Sequence, residues 1–581
     1  MKLKYLTIKN FRNFKNANIE LSNQNVIFGM NDVGKTNLLY ALRFLMDRQI
    51  RQYGFKKSDF HKKDTNQNIE ITLELDIAKR QTSKDAQLLI SKVNGSRKQT
   101  NLNTFYIKIL GKYNEKEYFG NPELYWGSDL NNLIEIPQKG LISDLDRLFK
   151  VVYIDATINL DATFSKHRKD LFDQSKLSDE DVALSNEIQQ ATSEVNDKIG
   201  EMNVIKEFQS TLTKEYKSLK DEDINIEMKS EMAIKGYFSD LTPYIKRDGD
   251  EQHYPTSGDG RKKLLAYSLL NHITKEFNSD KIVIYLIEEP ENSLHRSMQI
   301  ALSKQLFEKE VYDYFFLSTH SPELLYEMDN ASLIRLYNEE IVNCSSHIYH
   351  VDEEYKNMKK ELNRSLATAL FANKVLLIEG ESERVLFEKV LEETNPTYEL
   401  DGGYILSVDG VKFKPYFDVL NALNITTIVK TDNDLKAKRN SKIQFDLIGL
   451  NRCLELINID KFNYIEIDYS TKDENDKIIW RDGDKKRKVM ESKKQIYINK
   501  KATIDLLEEN DIYLSEVDLE DDLFSVIGER MKSILDKDNP INYLQQSKMI
   551  NMIELTNGLD KNDCETIIEH DLFTALKRLV N

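Results

Sequence analysis

The sequence predicts a mixed α/β protein with more than one sheet-based unit, and three observations predict it. Strand-like apolar runs alternate with runs of helical period over most of the chain. Between about residues 157 and 225 the texture becomes helical, and a Lys/Glu-rich stretch, "EEYKNMKKELNR", then separates two α/β regions. At 581 residues the chain has room for several domains, each able to bury a core.

The elements follow in order. Leu3, Tyr5 and Thr7 alternate with polar residues as a strand, and "NVIF" is a second strand running into a glycine loop. After Lys35 the period turns helical, with Leu38, Leu39, Ala41, Leu42 and Leu45 on one face. "IEITLELDI" alternates Ile69, Ile71, Leu73, Leu75 and Ile77 as a further strand. No proline lies between Pro137 and Pro243, and Ile188, Val195 and Met202 keep heptad spacing before Phe208, Leu212 and Leu219. Two readings of this arm stand side by side: a lobe packing on its own domain, and an antiparallel self-association surface. The expected division is 1–156 and 226–345 for the first α/β domain, 157–225 for the helical insertion, 346–365 for a linker and 366–581 for the second domain.

Composition narrows the classes. Hydrophobic residues make up 40% and charged residues 31%, which is globular usage. Cys344, Cys453 and Cys564 lie far apart with no CxxC pair, so neither a zinc site nor a disulfide framework is expected. The start has no signal-like apolar block and no 18-residue apolar run occurs, from which a cytoplasmic protein is expected. A net charge of −16 argues against indiscriminate nucleic-acid binding but allows a local basic groove.

Two sets of residues carry chemistry. In "FGMNDVGKTN", Gly29, Gly34, Lys35 and Thr36 form a Walker A pattern between strand and helix, with Asn31 and Asn37 in and beside it. Glycines let backbone N–H groups wrap phosphates, Lys35 reaches the β/γ oxygens, and Thr36 ligates magnesium. "IVIYLIEEPENSLH" ends an apolar strand in Glu288, for the magnesium shell, and Glu289, to polarise water. His320 in "FFLSTHSPELL" stands where a γ-phosphate sensor belongs, and Ser257, Gly258 and Gly260 in "PTSGDGRKK" form a loop able to cap a second molecule's nucleotide.

The other set begins at "VLLIEGESERVLF", where an apolar strand closes on Glu379 and Glu383 follows one helical turn later. "ITTIVKTDNDL" closes a second strand on Asp432 and Asp434, expected on one side because strand side chains have period two. Carboxylates at the carboxyl ends of parallel strands would repel one another unless divalent metal neutralised them, and a two-metal site suits attack on a phosphodiester. A basic stretch holding Lys485, Lys486, Arg487, Lys488, Lys493, Lys494, Lys500 and Lys501 offers a track for phosphates, or simply a solvated loop.

The first set, with "LTIKNFRNF" ahead of it, resembles the ATP-binding cassette heads of the SMC and RecF group. Glu288 stands where that group has Asp, and His295 near its D-loop Asp, which favours binding over fast hydrolysis; such heads sandwich nucleotide between subunits, implying at least a dimer. The second set resembles the Toprim domain. Head plus Toprim resembles the OLD (overcoming lysogenisation defect) family of nucleases, and within it the nuclease subunits of Gabija anti-phage systems. The resemblance implies an ABC-type (SMC/RecF-like) ATPase head with an inserted helical dimerisation arm and a C-terminal Toprim domain. It implies Glu379, Glu383, Asp432, Asp434, Asp518 and Glu520 as metal ligands or their supports, with Lys548 stabilising charge on phosphate. Mg²⁺ or Mn²⁺ and ATP are the implied cofactors, and double-stranded DNA, a second copy of the chain and a UvrD-like helicase the implied partners. A RecF-like DNA-binding protein with vestigial Toprim acids remains the alternative; a topoisomerase or primase, with no attacking-Tyr domain or zinc module apparent, ranks last.

Overall fold

The computed structural model describes residues 1–30, 33–79, 81–93, 103–139, 142–171, 178–219, 244–246, 253–255, 258–277, 280–308, 312–338, 342–409, 412–472 and 478–581. These form two compact units: Met1–Ile154 with Lys281–Glu291 and Arg296–Asn581, and Asp155–Asp280 with Asn292–His295. Among the described residues no helix is long and apolar enough to cross a membrane.

The first unit contains three main sheets. Strand Lys2–Phe11 pairs antiparallel with Phe14–Glu20 on one side and Ile69–Asp76 on the other, and Thr104–Asn114 and Phe119–Gly127 extend the same sheet. Its alternation is the physical one: Leu6, Ile8, Ile71, Leu73, Ile107 and Ile109 face a core shared with helix Lys35–Met46, while the residues between them stay wetter. The second sheet places Gln24–Gly29 between Phe315–Ser318 and Ala331–Asn338, all parallel, with Ile282–Glu288 and Phe149–Ile154 beyond. The Walker A loop, Glu288 and Ser318 therefore gather at the carboxyl edge of neighbouring parallel strands.

The third sheet runs Gly403–Ser407, Lys374–Ile378, Thr426–Thr431, Ile512–Leu514, entirely parallel. Leu376, Leu377, Ile378, Ile428 and Val429 are fully buried, as a sheet covered on both faces requires. Helices Glu381–Thr394, Leu519–Leu535, Lys548–Gly558 and Lys561–Glu569 supply much of that cover.

The stretch expected as a linker carries regular structure: it includes a 3-10 turn, Glu353–Met358, and most of helix Lys359–Ala369. Asn363 on that helix is fully buried, donates to the carbonyls of Tyr326 and Met328 at 3.0 and 2.9 Å, and accepts from Tyr349 Oη at 2.8 Å. Nearby, the buried Arg335 guanidinium reaches the carbonyls of Leu423, Asn424 and Ala372 and the Asn373 side chain. A polar residue satisfied this fully docks one segment on another, which a Lys/Glu-rich sequence does not announce.

In the second unit, helix Asp179–Gly200 starts on a Ser178–Asp181 capping box and is followed by Asn203–Leu219. Ile188, Val195 and Met202, the heptad residues, and Phe208 after them are exposed, as are Val182, Leu184 and Val204. The side chains of Leu212 and Leu219 lie outside the described ones.

Candidate nucleotide site and candidate metal centre

At the head, Gly29 and Gly34 have φ of +146° and +108°, and a Cβ on Gly29 would lie 2.3 Å from the Leu336 carbonyl oxygen. Only glycine fits there, because the loop passes directly over the neighbouring strand. Lys35 Nζ donates to the carbonyls of Gly29 and Met30 at 3.0 and 2.8 Å, curled within its own loop. Thr36 donates to Glu288, and Tyr153 from the adjacent strand donates to the other oxygen of the same carboxylate. Burial, then this hydrogen bond, raises the Tyr153 phenol, which stays a donor. His320 Nε2 lies 3.7 Å from Glu289, and the His320 amide donates to Glu291 at 2.6 Å. Burial, with Lys35 adding to it, lowers the His320 imidazole, while burial raises the Glu291 carboxyl. Asn37 turns to the protein: its amide donates to Asn13 at 3.0 Å and its oxygen accepts from Arg12 at 2.9 Å. Asn31 and Ser257 lie outside the described residues, and Gly258 is exposed just before helix Asp259–Phe277.

The acids of the third sheet stand at the carboxyl ends of its strands. Glu379 follows Ile378, and strand Thr426–Thr431 ends one residue before Asp432. Asp432 and Asp434 thus stand on the turn beyond the strand, so strand period is not what orients them. Glu383 Oε2 accepts from the amides of Glu379 and Gly380, at 2.6 and 3.1 Å, capping its own helix. Asp518 caps helix Leu519–Leu535 through the Asp521 amide at 2.9 Å, and Gln545 donates to its other oxygen at 3.1 Å. Asp432 ties the motifs together: its amide donates to Glu379 Oε1 at 3.1 Å and its Oδ1 accepts from the Leu519 amide at 3.0 Å.

Electrostatics register the convergence. Burial raises the Asp432 carboxyl far above its ordinary range, and Glu383, Glu379, Asp518 and Asp434 push it further. Burial, then Glu379, pushes Glu383 up to about 7. Glu520 is raised by burial; its Oε1 lies 3.5 Å from Lys548 Nζ, while its buried Oε2 has no hydrogen-bond partner. Burial would lower Lys548, but Glu520, Asp432 and Asp518 outweigh it and raise the ammonium. Among the described residues no three His, Cys, Asp or Glu side chains are arranged to hold a metal ion as they stand. The acid-rich donor set, its mutual repulsion and the orphaned Glu520 oxygen fit a divalent cation nonetheless.

Comparison with known proteins matches the two regions that carry these sites. The model for the AAA ATPase domain matches residues 1–325, and that for the overcoming lysogenization defect protein-like TOPRIM domain matches residues 370–434. Endonuclease GajA of Bacillus cereus (strain VD045) is 54% identical over 580 residues, covering 100% of this chain and 99% of that protein. This chain belongs to the GajA endonuclease family. Among solved structures, the SMC head domain from Thermotoga maritima aligns with 60% of the chain and 100% of its own at 15% identity and a TM-score of 0.30. The C-terminal region of the Burkholderia pseudomallei OLD protein aligns with 36% of the chain and 100% of its own at 17% identity and a TM-score of 0.25.

Within this GajA family chain, the contacts of four residues escaped sequence reasoning. Asp522 is held in a buried ion pair with Lys430 at 2.9 Å and accepts from the Glu516 amide. Asn433, between the two aspartates, is fully buried and donates to the carbonyls of Lys493 and Glu516, both at 3.1 Å. Lys493 itself lies 3.6 Å from Asp434, so the basic helix Asp482–Asn499 is anchored at the acidic turn. Arg452 contacts Glu379 directly. No spacing rule marks an arginine that far beyond the Asp-x-Asp motif.

Proposed function

We propose that this GajA family endonuclease hydrolyses DNA phosphodiester bonds at the acidic centre, with Mg²⁺ or Mn²⁺, under the control of ATP bound at the head. The observation that carries the reading is the joint between motifs: Asp432 holds Glu379 through its amide and Leu519, beside Asp518, through its carboxylate. Glu379, Asp432 and Asp518 are the proposed ligands, supported by Glu383, Asp434 and Glu520. A bound divalent cation supplies Lewis-acid stabilisation of the phosphate and a water of lowered pKa. Lys548, 3.5 Å from Glu520 Oε1, is the group proposed to stabilise charge on the phosphate oxygens. Helix Asp482–Asn499, fixed at the acidic turn by Asn433 and Lys493, is the proposed track leading double-stranded DNA to the site.

At the head, Lys35, Thr36 and Glu288 are the proposed nucleotide and magnesium groups, with Glu289 and His320 facing the γ-phosphate. The exposed apolar residues of the helical arm support self-association, and the GajA relationship supports a cytoplasmic anti-phage role with a UvrD-like helicase as partner. A RecF-like protein with inert Toprim acids is disfavoured, since burying mutually repelling acids around Lys548 is costly without a cation to hold.

The test is cleavage of linear and supercoiled phage DNA by purified protein, with Mg²⁺ or Mn²⁺, with and without ATP, beside Glu379→Ala. Metal-dependent cutting lost in the variant, with ATP binding retained, is expected. Wild-type cutting by Glu379→Ala would overturn the assignment of the site.

A further inference from the structure

Helix Ile448–Leu456 begins against the acidic turn. The Gly449 amide donates to the Asp434 carbonyl at 3.0 Å, and a Cβ on Gly449 would lie 2.1 Å from the Asp432 carbonyl oxygen and 2.6 Å from the Asp434 nitrogen. Glycine permits this approach, and the approach brings Arg452, on the same helix, over the acids. Its Nη1 donates to Glu379 Oε1 and, at 2.8 Å, to Thr431 Oγ1, while its Nη2 lies 3.9 Å from Asp434 Oδ2. Thr431 Oγ1 and the Asp432 amide donate to the same Glu379 oxygen. Three donors converge on Oε1, leaving Oε2 as the oxygen available to a cation.

We propose that Arg452 is a positioning residue of the nuclease: with Thr431 and the Asp432 amide it clamps Glu379 by Oε1, so that Oε2 is presented to the metal, and it restrains Asp434. This rests on the acidic centre proposed above. A guanidinium suits the task because its planar fork reaches two partners at once, which an ammonium does not do in fixed geometry. The opposing account makes Arg452 a counter-ion that merely neutralises the acids before metal arrives. The two differ in sign: losing a clamp weakens metal binding, whereas losing a competing positive charge leaves it unchanged or tightens it.

The experiment measures Mn²⁺ binding by full-length protein from the EPR signal of the free ion, without DNA or nucleotide, and cleavage against Mn²⁺ concentration. Wild type, Arg452→Ala, Arg452→Lys, Thr431→Val and Glu379→Ala are compared. The clamp predicts that Arg452→Ala needs about 10-fold more Mn²⁺ or beyond for half-saturation. Its cutting falls and is partly restored by added methylguanidine, and Arg452→Lys and Thr431→Val shift Mn²⁺ binding the same way by less. Unchanged or tighter Mn²⁺ binding in Arg452→Ala overturns the proposal. If that variant does not fold, unchanged binding in both Arg452→Lys and Thr431→Val overturns it equally. Wild-type binding and cutting by Glu379→Ala would instead overturn the acidic centre itself, so the two failures are distinguishable.

Discussion

Asp432 and Glu383 show how much the acidic centre costs the protein without its cation. Both carboxyls are raised by burial first and by neighbouring acids second, Glu383 to about 7. An acid whose folded pKa exceeds its unfolded value binds more protons in the native state, so the metal-free protein loses stability as pH rises from about 4.5 toward that folded pKa. Bound cation replaces those protons and reverses the loss. The rise in melting temperature produced by Mn²⁺ is therefore expected to be larger at pH 8 than at pH 6 in nucleotide-free protein, and to shrink in Glu379→Ala. An equal rise at both pH values in the wild type would show that these carboxyls are not displaced by the ion. Asp522 marks the contrast: it is as acidic in sequence as Asp518, yet its charge is matched by buried Lys430 at 2.9 Å.

At the scale of elements, the sequence made the strands and their closing acids legible because parallel strands buried on both faces read as continuous apolar runs. "VLLI" and "ITTIV" correspond to strands Lys374–Ile378 and Thr426–Thr431. The Walker A loop was legible for a related reason, its glycines being required by positive φ and by close neighbours, the Leu336 carbonyl at Gly29 and the Asn13 side chain at Gly34. What stayed hidden depends on contacts distant in sequence. Arg452 reaches Glu379 because its helix seats on the turn at Gly449, and Gln545 reaches Asp518 from a helix beyond the one Asp518 caps. The partners of Asn37 were hidden in the same way: Asn13 and Arg12, from the turn after the first strand, hold its side chain. The linker reading failed to anticipate helix Lys359–Ala369 because its sequence is rich in charge, while its docking rests on a short buried face of Leu362, Leu366 and Ala367 with Asn363.

Across the first unit, the nucleotide loop and the acids meet opposite edges of the Toprim sheet. Met30 of the loop lies near Asn373, just before strand Lys374–Ile378, and Arg335 binds Asn373 and the Asn424 carbonyl at that same edge. Glu379 closes the far end of the strand, which for five residues is roughly 17 Å long. The two sites therefore share a scaffold without sharing ligands. Lys35→Ala is expected to abolish ATP binding and any response of cutting to ATP, while cutting in nucleotide-free buffer persists. Loss of that basal cutting in a folded variant would make the head a structural requirement of the acidic centre. The most direct test of the central claim is anomalous diffraction from manganese-soaked crystals grown without nucleotide. Manganese bounded by Glu379, Asp432 and Asp518 is the predicted result. Those three carboxylates free of manganese at saturating concentration, with cutting intact in solution, would contradict it.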